Sequence, residues 1–238
     1  IYSTTDQDGC PTMYIIQEHF SDEAFLYQSS NYFKQGRGLL LNRGWCLQET
    51  VLANRVVHFT PSDIVWECSG ATKCLDTYHQ LDAANWNMRK MLYDLEHWSS
   101  SDEERQFAVH KVWNGLVSKY TLRALSFQKD KLPAFSGIAL YFAKFFTGKY
   151  LAGIWESQLP VGLRWKVVDL ARVENPLALK EFISPSWSWA SLPATIGVEG
   201  PQSPEYQKLI PSYRPKILEA ECASSSEKAP FGRLDSGH

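Results

Sequence analysis

The sequence predicts a mixed fold, α/β in the broad sense and α+β in the way its elements separate along the chain. Three observations carry that expectation. Residues 55–68 contain two β-branched and aromatic runs, Arg55-Val-Val-His-Phe59 and Ile64-Val-Trp-Glu-Cys68, joined by the turn residues Thr60-Pro-Ser-Asp63. Between 102 and 120, Phe107, Val109, Trp113, Leu116, Val117 and Tyr120 recur at helical spacing. Beyond Pro185, Ser186-Trp-Ser-Trp-Ala-Ser191 alternates with period two, and Pro and Gly become dense from 193 to 215.

The elements follow in order. Gly9-Cys10-Pro11 reads as a turn, and the moderately apolar segment 13–27 as a strand followed by a helix. Good helix formers fill 44–53, with Trp45, Gln48, Glu49 and Leu52 at i, i+3, i+4 and i+7, so a short helix is expected there. The runs at 55–59 and 64–68 then form neighbouring strands. Ser99 to Asp102 supplies N-cap residues, and Ser101 stands three residues before Glu104 as a capping box; a helix over 102–120 follows. Asp130 and Pro133 start another, with Phe135, Ile138, Ala139, Phe142 and Phe145 on one apolar face before Gly148 ends it. Trp187 and Trp189 fall on one face of an expected strand as core residues. The run 216–222 reads as a last strand, with no closing element after it.

Composition narrows the class. The chain has 238 residues, 44% hydrophobic and 21% charged, with 9 Trp, 11 Tyr and 12 Phe. A chain of this length buries roughly 70% of its extended surface, so it is globular and not a disordered or collagen-like polymer. The formal charge is −2 with scattered basic residues, which argues against nucleic acid as a partner. The most apolar stretch, 137–146, is about half a membrane span and contains Lys144, so no membrane crossing is expected. Five cysteines at irregular spacing fit a reducing, cytoplasmic compartment.

Few motifs carry chemistry. Cys68, Cys74 and His79 are spaced as in none of the usual zinc knuckles, so no metal is expected. Neither a Gly-x-Ser-x-Gly elbow nor a phosphate-binding glycine loop occurs. One segment stands out, Arg43-Gly-Trp-Cys-Leu-Gln-Glu-Thr50, in which a short helix presents Trp45 and Glu49 at i and i+4 between Arg43 and Arg55. A carboxylate beside an indole and near cations suits a sugar-like substrate against an aromatic wall. The bland alternative is an amphipathic helix with Trp45 and Leu52 packed inward and Glu49 paired with Arg55 or capping a neighbour.

A family resemblance enters on these residues. Leu41-Asn-Arg-Gly-Trp-Cys-Leu-Gln-Glu49, Leu52, Arg55-Val-Val-His-Phe59 and Ile64-Val-Trp-Glu-Cys68 resemble the C-terminal signature of the HET (heterokaryon incompatibility) domain of filamentous fungi. Further segments are similar to the region that follows this domain: Tyr120, Arg123-Ala-Leu-Ser-Phe127, Asp130-Lys-Leu-Pro-Ala-Phe-Ser-Gly-Ile138, Tyr150-Leu-Ala-Gly-Ile-Trp155, Leu163-Arg-Trp165 and Pro185-Ser-Trp-Ser-Trp-Ala-Ser191. These matches touch residues 39–191, with weaker similarity over 218–232.

The resemblance implies a role in non-self recognition and programmed cell death when unlike hyphae fuse. It also implies a distant TIR-like relationship, in which a Trp-Cys-Leu-x-Glu helix carries the glutamate that cleaves NAD at its nicotinamide bond. On that analogy Glu49 is the catalytic carboxylate, Trp45 and Arg43 bind substrate, and NAD is a substrate and not a cofactor. The opening Tyr-x-x-Leu-Ser-Tyr-x-Trp-Gly strand and Asp-x-x-Cys-Ile-x-Gln helix of the family pattern do not occur here. The organisation expected is therefore the C-terminal part of a HET domain over 1–80, a helical segment over 81–168 and a truncated β-rich region over 169–238, without catalysis by this chain alone. The competing reading is a non-enzymatic module that binds protein partners or self-associates.

Overall fold

In the computed structural model, the residues described are 2–5, 11–14, 42–59, 64–74, 88–99, 101–169, 182–198 and 217–237. The expected helix within 15–27, the turn at 60–63, His79 and the Pro- and Gly-rich 199–215 lie outside them. The chain mixes helices with small antiparallel sheets, an α+β class, and divides into two compact units. One comprises 1–37 and 55–87; the other comprises 38–54 and 88–238.

Among its described residues the first unit holds two antiparallel sheets. Strands β1 (Tyr2–Thr5) and β2 (Pro11–Tyr14) form one pair. Strands β3 (Arg55–Phe59), β4 (Ile64–Cys68) and β5 (Thr72–Cys74) form a meander in the order β3-β4-β5. The register Arg55↔Cys68, Val57↔Trp66 and Phe59↔Ile64 puts these residues on one face. Val57, Phe59 and Trp66 are exposed there, whereas Val56, His58 and Glu67 on the other face are covered or half-covered. The paired strands thus lie where the two β-branched runs predict them.

The second unit is built around α1 (Trp45–Leu52), α2 (Met88–Glu96), α3 (Asp102–Thr121) and α4 (Ser136–Phe142). Helix α3 starts where its cap predicts: the Ser101 hydroxyl accepts from the Glu104 backbone N–H at 3.4 Å, and Asp102, Glu103 and Glu104 fill its first turn. Its inner face, Val109, Val112, Trp113, Leu116, Val117 and Tyr120, is buried. Trp113 is the hub of this core, with the rings of Phe135, Phe142, Phe146, Tyr150 and Trp155 centred 5.2 to 6.3 Å away in edge-on geometry.

The single helix expected from Asp130 to Gly148 is instead three pieces. Short 3-10 turns cover Gln128–Asp130 and Pro133–Phe135, and α4 ends at Phe142. The Phe145 N–H tightens onto the Phe142 carbonyl at 2.9 Å, and Phe146 closes on Trp113. Packing of the aromatic side chains, not helix propensity, sets this end.

Small sheets complete the unit. Strands β6 (Tyr150–Leu151) and β7 (Ile154–Trp155) make a hairpin whose two central residues, Ala152 and Gly153, have φ of 49° and 93°. Two positive φ values are the requirement of a type I′ turn. Strand β8 (Trp165–Asp169) pairs with β9 (Thr195–Val198), whose Ile196 and Val198 N–H groups donate to the hydroxyls of Thr121 and Ser118 on α3 at 2.9 and 3.4 Å. Strand β10 (Cys222–Ser224) pairs with β11 (Leu234–Gly237), a closing strand that the sequence did not announce.

Residues 186–191 are not the alternating strand expected of them. The Ser188 hydroxyl accepts from the Ala190 N–H at 2.9 Å and caps a 3-10 turn over Trp189–Ser191. Trp189 is 1% exposed and fully in the core, while Trp187 is half-buried and its carbonyl accepts from the Trp165 indole at 2.8 Å. Among the described residues no helix is long and apolar enough to cross a membrane.

Candidate functional site

Helix α1 carries Trp45 and Glu49, and its placement is fixed at both ends. Before it, Asn42 to Gly44 runs beside Ala124 as a parallel bridge: the Ala124 N–H donates to the Asn42 carbonyl at 2.6 Å, and the Gly44 N–H to the Ala124 carbonyl at 2.8 Å. A Cβ on Gly44 would stand 2.6 Å from the Leu125 side chain, so a larger residue here would need that side chain to shift. After it, the buried Arg89 donates from Nε to the Ala53 carbonyl at 2.8 Å and from Nη2 to the Thr50 carbonyl. A guanidinium here satisfies the open carbonyls of the helix end and suits its dipole.

The buried face of α1 is Leu47 and Val51, with Gln48 accepting from the Gly137 N–H at 3.2 Å. Trp45 is 38% exposed and Leu52 36% exposed. Trp45 and Leu52, weighed from the sequence as the inward face, thus each keep more than a third of their surface in solvent, while Leu47 and Val51 are the fully buried positions. Glu49 is exposed on the same face as Trp45, and Arg43, one residue before Gly44, is exposed as well. The structure thus keeps Arg43, Trp45 and Glu49 on one short segment accessible to solvent.

Two further ionisable residues of the second unit are ones that spacing does not single out, and one of them, Arg123, touches the start of this segment. Arg123 donates from Nη1 to the Arg43 carbonyl at 3.4 Å, and its Nε is buried without a partner. Burial lowers its pKa to about 10, with the neighbouring Cys46 acting the other way. Lys131 is 4% exposed; its Nζ donates to the Leu192 carbonyl and lies 5.6 Å from the centre of the Trp189 ring. Burial alone lowers its pKa to about 7. Both residues sit inside the quoted segments 123–127 and 130–138. Sequence spacing could not show that they become buried.

The first unit has its own polar features. His58 Nε2 and Glu67 Oε2 are 3.0 Å apart on the covered face of the meander. The Cys68 thiol is held below its usual range first by the Gly70 N–H, which outweighs the opposing effect of burial, and then by the Ala71 N–H, the Trp66 side chain and Arg55. Among the described residues no group of three or more His, Cys, Asp or Glu side chains is placed to hold a metal ion. Comparison with protein families, curated proteins and solved structures finds no match to this chain.

Proposed function

We propose that this chain is part of a cytoplasmic HET-type incompatibility protein of a filamentous fungus, acting in non-self recognition and programmed cell death. The complete protein hydrolyses NAD through Glu49, with Trp45 and Arg43 contacting the substrate. The observation that supports this reading is the exposed presentation of Glu49 and Trp45 together on α1, a helix anchored at both ends by Ala124 and Arg89. A carboxylate held in this way can accept hydrogen bonds from ribose hydroxyls and stabilise the positive charge that builds up as nicotinamide leaves. The step from HET to TIR-like chemistry rests on the Trp45-Cys-Leu-Gln-Glu49 segment.

The test uses a protein extended upstream to include the opening strand and helix of the family pattern, incubated with NAD beside its Glu49→Gln counterpart. Nicotinamide release is expected from the first and at least a hundredfold less from the second, about 2.7 kcal/mol of lost transition-state stabilisation. Release that survives the substitution removes Glu49 from the mechanism. No release from the extended protein transfers the assignment to the second reading, a non-enzymatic interaction module. That reading draws on Trp45 and Leu52, two large apolar side chains exposed on the same helix face.

A further inference from the structure

Lys131 stands between the 3-10 turns Gln128–Asp130 and Pro133–Phe135, with 4% of its surface exposed. Its backbone is fixed from α3, where the Tyr120 hydroxyl donates to the Lys131 carbonyl at 2.6 Å. An ammonium carries three donor hydrogens. Among the described residues its Nζ meets a single acceptor, the Leu192 carbonyl, and lies 5.6 Å from the centre of the Trp189 ring. A carbonyl and an indole face repay only part of the cost of desolvating a cation. The neutral amine loses far less on burial and still donates to Leu192, so the closed structure favours the unprotonated form.

Among the described residues no ionised group offsets this. Ser188-Trp-Ala-Ser-Leu192 and Pro133–Phe135 contain no titratable side chain. From α3 the facing group is Tyr120, with Tyr150 beyond it; burial pushes both phenols well above their usual range, so both stay neutral. Of the residues just before Lys131, Lys129 places its Nζ 5.5 Å from the centre of the Phe127 ring, and the Asp130 carboxylate acts on Tyr120 but not on Lys131. Burial alone acts on the Lys131 amine and lowers its pKa to about 7.

The cover over the amine is local. The amides of Ser188, Ala190 and Ser191 bond within 185–191 itself, to the Pro185 carbonyl, the Ser188 hydroxyl and the Ser188 carbonyl at 2.9, 2.9 and 3.1 Å. Neutral bonds hold this turn to the rest of the unit: the Trp165 indole donates to the Trp187 carbonyl, and Ser188 and Trp189 donate to the carbonyls of Ala152 and Gly153. A turn that is bonded within itself can lift as one piece while the helices stay folded.

We propose that the Lys131 amine is the proton-sensitive catch of a conformational latch: neutral, it holds residues 188–192 closed over itself, and protonated, it releases them. Lifting the turn returns the amine to water and to its ordinary pKa of 10.5, against about 7 when closed. Between these values the open form holds the extra proton, so falling pH favours opening; below 7 both forms are protonated and the effect levels off. Opening uncovers the Trp189 ring and the two carbonyls of the turn at Ala152 and Gly153. The device does not depend on the assignment of Glu49.

The experiment is native-state hydrogen exchange of the full chain at pH 7 and pH 9, corrected for intrinsic exchange rates. The opening constant at the Ser188, Ala190 and Ser191 amides is expected to fall at least tenfold from pH 7 to pH 9, and these amides should open more often than those of Val112 to Val117 on α3. In Lys131→Met the same constants should change less than twofold. Circular dichroism checks the variant for folding, and Lys131→Gln replaces it if needed. Opening constants equal at the two pH values overturn the proposal, as does the parent's pH dependence persisting in the variant. Exchange of 188–191 only in step with α3 overturns it too, since the turn then opens only by global unfolding. In the parent alone, the Lys131 Cε shift followed by NMR should titrate near 7; a transition near 10 refutes the catch whether or not either variant folds.

Discussion

The indole N–H of Trp189 donates to the carbonyl of Gly153 at 2.9 Å, and the adjacent Ser188 hydroxyl donates to the carbonyl of Ala152 at 2.5 Å. Two segments 36 residues apart in sequence are thereby a single structural feature. The turn at Ala152 and Gly153 exposes two carbonyls, and the Ser188-Trp189 pair fills and satisfies them. Trp189 then extends into the core, edge-on to Tyr120 and Phe135 at 6.1 and 5.6 Å.

Gly153→Ala is expected to destabilise the second unit by about 3 kcal/mol. The positive φ of 93° disfavours any Cβ, and the new methyl would lie 2.5 Å from Trp189 Nε1. Urea unfolding followed by Trp fluorescence measures this; a midpoint equal to that of the parent would refute the tight docking of Trp189 on the turn.

Trp113→Ala should cost about 3–5 kcal/mol, since five aromatic rings lose their common neighbour. Trp113→Phe keeps part of the packing and should lose less than half as much. Equal loss in both variants would mean that the indole's outer ring, not the shared aromatic centre, carries the stability.

Lys131 gives a signed pH effect. Its pKa is near 10.5 when unfolded and about 7 when folded, so between these values the unfolded chain holds the extra proton. Stability therefore rises with pH through that window, and the cost of burying the cation is greatest below pH 7. Relative to Lys131→Met, the parent should gain roughly 2–3 kcal/mol between pH 7 and 9. Parallel stability curves for the two proteins would show that the amine is hydrated when folded.

His110 acts at the acid side. It packs against Phe146, with ring centres 5.2 Å apart, and burial depresses its pKa below the ordinary 6.5. Above pH 6.5 it is neutral in both states and costs nothing. As pH falls below that value the unfolded chain takes up a proton first, and stability is lost. His110→Gln should flatten the stability profile between pH 6.5 and 5. Glu96 contributes separately and lower down: its carboxyl is held below the usual range first by Lys144 and then by Tyr141, so its stabilisation is lost only below about pH 4.5.

The sequence alone determined the features that depend on local chemistry. Ser101 and Glu104 announce the start of α3, the β-branched runs announce β3 and β4, and helix formers announce α1, because caps, pleats and periodicity act within a few residues. Prominence of the Arg43 to Glu49 segment was legible for the same reason. Tertiary structure decided which faces of those elements are buried. Leu47 and Val51, not Trp45 and Leu52, turn inward on α1, because Ala124, Arg89 and Gly137 fix its rotation from elsewhere in the chain. Packing likewise turned the Ser-Trp-Ser-Trp alternation into a capped 3-10 turn. The burial of Arg123 and Lys131 was invisible for a parallel reason: a charged side chain becomes buried only when distant segments close over it, and no local pattern specifies that closure.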